Sequence, residues 1–207
     1  MNINKHLILL FSVLFFLFAV SVSSGCFRKN ESDVKSVVRN ELDQLKNLDS
    51  ETTQKYIPYT ELFPDATENT DLTDEINETF SLFFRKFNYK ISDVIVGTAN
   101  HSATVSVKLT TIDSKVLARD FKAELLRTQI TESAQAQKGN IKDSSRSLEA
   151  HYLILNHLLN TNDYDTAETD CNIQLVNTGN DKKEKWKIQR TNSLEDDLVG
   201  GLIADLA

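Results

Sequence analysis

The chain has 207 residues, 40% hydrophobic and 26% charged, with six glycines and two prolines, a balance that excludes disordered and collagen-like classes. Its formal net charge of −7 argues against a nucleic-acid-binding surface, because phosphate neutralisation needs clustered Lys and Arg. The length suits one domain with a proper core.

Met1 to Lys5 is a weakly basic start, and Leu7 to Val22 is a run of 16 residues that is apolar apart from Ser12 and Ser21. That is the length of a secretory signal, short of the roughly 20 residues of a relaxed membrane span. Ser23-Ser24-Gly25-Cys26 follows. Small residues ending in Gly-Cys resemble a bacterial lipobox, where the Cys thiol is acylated and the chain is cut just before it. Ser23 departs from that box, whose first position usually holds Leu. The leading reading is a lipoprotein anchored to the membrane through Cys26. An uncleaved anchor and ordinary secretion with cleavage nearby are the alternatives. The expected organisation is a signal peptide over 1–25, a short linker over 26–32 and a single domain over 33–207. Removing 1–25 takes away one cation, Lys5, and leaves 22 basic against 30 acidic residues, a net charge of −8. Arg28 and Lys29 put two cations beside the anchor, each worth at most about 1 kcal/mol against anionic headgroups. If Cys26 carries lipid, Cys171 has no partner for a disulfide, since these are the two cysteines of the chain.

Ser32 or Asp33 is a good helix N-cap, and Val34, Val37, Val38, Leu42, Leu45 and Leu48 then recur at helical spacing. Thr52 to Asp65 reads as irregular and holds both prolines. It gathers Tyr56, Ile57, Tyr59, Leu62 and Phe63, too many large apolar groups for a free loop. Tyr56, Tyr59 and Phe63 are the best candidates for a pocket or interface, although large apolar side chains are most often simply buried and a plug covering the sheet is the favoured reading. Asp71 or Thr73 caps the next helix, whose stripe is Ile76, Phe80, Phe83, Phe84 and Phe87, read as core.

The period then changes to two. Tyr89 to Thr98 and Ala103 to Thr110 form a half-buried antiparallel hairpin around an Asn100-His101 turn. From Asp113 the helical period returns through Leu117, Phe121, Leu125 and Leu126, and a second helix carries Leu148, Tyr152, Leu155, Leu158 and Leu159. Asn160 to Thr166 is polar and turn-forming. Cys171, Ile173 and Leu175 alternate into a second hairpin that returns through Trp186 and Ile188. The tail from Ser193 is helical, broken at Gly200-Gly201.

No catalytic or metal constellation stands out, and no cofactor is expected. His151 and His157 are six apart, on different faces of one helix, and cannot act as an i, i+4 metal pair. The turn from Asn160 lacks the Gly and Glu that a calcium loop needs at its sixth and twelfth positions. Cys171 reads as a small core hydrophobe, with a reactive thiol as the outside alternative.

The order of elements, the opening helix ending Leu45-Lys46-Asn47-Leu48-Asp49, the Ala103-Thr104-Val105-Ser106-Val107 strand, Lys183-Glu184-Lys185-Trp186-Lys187-Ile188 and the tail Leu198-Val199-Gly200-Gly201-Leu202 are similar to lipoproteins of unknown function from Gram-positive bacteria that carry a nuclear-transport-factor-2-like, or cystatin-like, domain. The resemblance implies an α+β fold, a curved antiparallel sheet of about four strands packed against helices, with a pocket at its open end. It carries over no catalytic residue. The expected function is a membrane-anchored, extracytoplasmic, non-catalytic module binding a small ligand or an envelope protein, with no nucleic-acid partner. The alternative is a small-molecule enzyme of the isomerase or dehydratase type. That alternative requires an ionisable group in a concave site, and a pocket filled by Tyr56, Phe80 and Phe84 would sink it.

Overall fold

Strict alternation of apolar and polar residues builds a sheet with one dry and one wet face. In a computed structural model, residues 30–56, 62–63, 72–97, 101–136, 147–179 and 185–206 are described. Four strands, β1 (Asn88–Val96), β2 (Ser102–Ile112), β3 (Thr166–Asn177) and β4 (Trp186–Ile188), lie antiparallel in the order β1-β2-β3-β4. On the dry face Ala103, Val105 and Val107 stand opposite Leu175, Ile173 and Cys171, all buried. On the wet face Thr104 donates to Gln174 at 2.9 Å, Ser106 donates to Asn172 at 2.9 Å, and Lys108 reaches Glu168 and Asp170 at 3.2 and 3.3 Å.

β1 carries a bulge between Ile91 and Asp93. Its physical reason is in the register: Ile91 pairs with Val107 and Val94 with Val105, so three residues of β1 answer two of β2. The extra residue keeps Ile91 and Val94 both turned to the dry side.

The helices cover that side. α1 is helical over 30–46 and buries Val34, Val38, Leu42 and Leu45. It is already helical at Asn30, ahead of a cap at Ser32 or Asp33, so Asn30 to Asp33 are helix and not linker. α2 (Ser50–Tyr56) lies in a stretch expected to be irregular. Its cause is Asp49, whose Oδ1 accepts from the Thr52 N–H at 2.8 Å, an N-cap satisfying a free donor of the first turn. α3 (Thr73–Phe84) has Asp74 and Glu75 in its first turn and buries Ile76, Phe80, Phe83 and Phe84.

Between β2 and β3 the chain makes two long helices, α4 (Ser114–Ala136) and α5 (Leu148–Thr161). Asp113 Oδ1 accepts from Lys115 and Val116 to start α4, and Ser147 caps α5 through the Ala150 N–H. α5 buries all five residues of its predicted stripe. The stripe of α4 is buried as far as Phe121 and half-buried at Leu125, and Leu126 and Ile130 are exposed. Two short helices, α6 (Asn192–Leu198) and α7 (Leu202–Leu206), finish the fold on either side of Gly200-Gly201. α3 and α6 pack on β2, α6 also on β3, α5 packs on α3, and α4 packs on α5 and α7. The result is an α+β domain with an open four-stranded antiparallel sheet. No helix among the described residues is long and apolar enough to cross a membrane.

Candidate functional site

Phe63 is inside the helix layer. Its ring stacks on Phe121 at 5.2 Å between centroids, lies 4.9 Å from the His151 ring and meets Tyr152 edge-on at 5.3 Å. It is 6% exposed and wedges α4 against α5. Tyr56, at the end of α2, is 2% exposed. The structure thus gives these two aromatics a packing role; Tyr59 and Cys26 lie outside the described residues.

Tyr56 differs from Phe63 in one respect. Its hydroxyl is buried with no hydrogen-bond partner, and so is Glu41 Oε2 on α1. Buried polar groups are nearly always paired, so an orphaned phenol and an orphaned carboxylate oxygen are unusual. The other Glu41 oxygen accepts from Lys55 Nζ at 2.6 Å, and that ammonium also stands 4.8 Å from the centroid of the Tyr56 ring. Burial, followed by the Glu41 charge, raises the Tyr56 pKa, so the phenol stays neutral. Burial works against the Lys55 charge, but Glu41 and Tyr56 outweigh it and its pKa is raised too. The cluster therefore holds a carboxylate, a phenol and an ammonium at the α1–α2 junction. The Tyr56 hydroxyl and the second Glu41 oxygen are both buried, so the cluster ties α2 to α1 and presents neither atom at the surface.

Beside this junction an open depression of about 320 Å³ is lined by Leu48, Thr53, Asn77, Glu78, Phe80 and Ser81. Leu48 ends α1 in the left-handed region, with φ 62°, where glycine is the usual residue. The backbone bonds Asp49 N–H to Gln44 O and Leu48 N–H to Leu45 O, both 3.0 Å, close the helix there. A second, wider depression of about 580 Å³ lies between the start of α1 and the β1 bulge, lined by Glu31, Ser32, Lys35 and residues Ile91 to Val94.

The remaining ionisable groups are tied into the fold. Burial first, and then the Asp197 carboxylate, push the Cys171 thiol up to about 12, so it stays protonated and unreactive at neutral pH. The Asp197 carboxyl is itself raised, by desolvation first, against the hydrogen bond with Cys171. Lys86 reaches Asp163 Oδ1 and the Tyr164 carbonyl at 2.5 Å each, so a lysine ammonium already occupies the acidic turn after α5. Glu195 is buried and pairs with Arg190. His151 and His157 lie on one helix with His151 Nδ1 2.8 Å from the Ser147 carbonyl. No group of three His, Cys, Asp or Glu among the described residues is placed to hold a metal ion.

Sequence reasoning found Tyr56 and missed Glu41, Lys55 and Asp197. Glu41 sits one place from the apolar stripe of α1, like any solvated helix residue, and Asp197 follows Glu195 and Asp196 with nothing local to single it out. Only tertiary packing distinguishes them. Compared with known proteins, the chain matches no family model, no curated protein and no solved structure.

Proposed function

We propose that the protein is a lipoprotein held on the outer face of the cell membrane through Cys26 and acts there as a non-catalytic module that binds a small ligand or another envelope protein. The lipid reading rests on the Leu7–Val22 apolar run and the Gly25-Cys26 step. We also propose that the sheet and its helices follow the nuclear-transport-factor-2-like, or cystatin-like, arrangement, an analogy of fold that says nothing by itself about activity.

One observation carries the non-catalytic half. Among the described residues the helix-covered side is packed with rings: Tyr56, Phe63, Phe80, Phe84 and Tyr152 are buried in one continuous core, with Phe80 6.2 Å from Tyr152 and 6.5 Å from Phe84 between ring centroids. Among the described residues, rings pack the side where such a fold would place a reaction chamber. The alternative, an isomerase- or dehydratase-type enzyme, draws support from the raised carboxyl of Asp197. That carboxyl faces the Cys171 thiol, a partner within the fold.

The anchor reading is tested by Cys26→Ala. The variant is expected to leave the membrane fraction or to accumulate uncleaved, because stable anchoring needs the acyl chains that the thiol begins. A variant that stays anchored and is processed like the parent chain overturns it.

A further inference from the structure

Three features share one end of the domain. α1 runs antiparallel to β1: Lys46 near its end donates to Asn88 at 2.9 Å, Tyr89 donates to Asp43 at 2.5 Å, and Glu31, Ser32 and Lys35 lie beside Ile91 to Val94. The start of α1 therefore lies at the end of the sheet where β1 finishes and β2 begins. The end of β3 is there too, since the Asn177 N–H donates to the His101 carbonyl at 3.0 Å. The opposite end, at Ile112 and Thr166, is about 35 Å away along the 11 residues of β2.

Cys26 precedes Asn30, the first described residue of α1, by four positions. A chain of that length spans at most about 14 Å even when extended. A lipid on Cys26 thus holds the near end of the domain at the bilayer and forbids a pose in which the far end touches the membrane while the near end points away.

We propose that this near end is a membrane-docking surface: the depression of Glu31, Ser32, Lys35, Ser92 and Asp93 lies against lipid headgroups, and Ile95 sits at their level. The proposal rests on the lipid-anchor reading above. Two observations support it beyond the tether. Ile95 is 60% exposed, opposite Thr104 on a sheet face that Thr104, Ser106, Asn172 and Gln174 make largely polar. The depression carries both signs of charge, Lys35 against Glu31 and Asp93, which matches a headgroup bearing a phosphate and an amine.

The experiment uses the full lipidated chain in vesicles of phosphatidylethanolamine and phosphatidylglycerol. Single cysteines are placed at the near end (Ser32→Cys, Ile95→Cys) and at the far end (Thr166→Cys), each at an exposed position. They are labelled with a polarity-sensitive fluorophore and quenched by headgroup spin-labelled lipid. Cys171 is buried and gives no background label. Both near-end labels should shift to the blue and quench several-fold more than the far-end label. Equal quenching at the two ends, or stronger quenching at Thr166→Cys, overturns the docking surface while the protein still floats with the vesicles and carries its acyl chains. A protein that neither floats nor carries acyl chains shows that the anchor reading has failed, and the docking surface falls with it.

Discussion

Tyr89 joins two layers of the fold through a single hydroxyl. It lies on β1, and its O–H donates to Asp43 Oδ1 of α1 at 2.5 Å, with the Arg39 carbonyl 3.4 Å away. Burial first, then Asp43, push its pKa up to about 12. In an unfolded chain the phenol ionises near 10. The folded state therefore holds the proton more tightly, and the stability this contributes is fully present below about pH 10 and lost as pH rises towards 12. Tyr164 and Cys171 are shifted to about 12 as well, in both cases chiefly by burial, so the alkaline loss has three contributors with one sign. Tyr89→Phe should lose about 1 kcal/mol at neutral pH, the net worth of one hydrogen bond. It should also fall off less steeply on the alkaline side. Denaturant midpoints measured across that range decide it; a variant as steep as the parent chain rules the coupling out. The hydroxyl of Tyr56 is the counterpart of this arrangement, a more deeply buried phenol set beside Glu41 and Lys55 without a hydrogen bond of good geometry.

At the scale of elements, the junction of α6 and α7 depends on one backbone position. The Gly201 N–H bonds the Asp196 carbonyl at 2.8 Å and the Gly200 N–H bonds the Asp197 carbonyl at 3.0 Å, the paired closure of a Schellman motif. Gly200 has φ +66°, and a Cβ built there would stand 2.2 Å from Thr111 Oγ1. Gly200→Ala combines left-handed strain with overpacking and should destabilise the domain by about 3 kcal/mol. Equilibrium unfolding checks this, and a loss below about 1 kcal/mol would mean that α6 shifts freely on β2 and β3. The break at Gly200-Gly201 was legible because two adjacent glycines interrupt an apolar period. So were the phenylalanine stripe of α3 and the alternation of β2, where one period runs unbroken. α2 was not, because Pro58 and Pro64 dominate its neighbourhood and the capping role of Asp49 depends on α1 ending where it does. The β1 bulge was hidden for a related reason: Ile91-Ser92-Asp93-Val94 breaks the alternation, and only the spacing of Val105 and Val107 on the neighbouring strand explains it. At the candidate site, aromatic clustering announced that Tyr56 and Phe63 would be drawn inwards. Whether a ring ends up lining a cavity or filling one is decided by the elements around it, here α4 and α5.

At the scale of the whole molecule, the question is where the domain begins. Val34, Val38, Leu42 and Leu45 of α1 are all almost fully buried and belong to the same core as the sheet. Burying four such side chains contributes about 6–12 kcal/mol, comparable to the entire stability of a typical domain at about 5–15 kcal/mol. α1 is therefore part of the fold and not an appendage ahead of it. Its polar contacts agree: Lys46 reaches Asn88 and Tyr89 reaches Asp43, so the helix lies along the edge strand β1, which would otherwise be a site for pairing with another chain. A chain starting at residue 30 should fold as the full chain does, with the same denaturation midpoint, because it keeps all of α1 and the core that α1 shares with the sheet. A chain starting at residue 50 should lose cooperative unfolding and expose β1. Circular dichroism and denaturant titration of the two chains separate these outcomes. A shorter chain that unfolds cooperatively near the parent midpoint would show that the sheet and α3 to α7 suffice. The first outcome would set the start of the folded core at α1, and the second would show that the sheet does not stand without that helix.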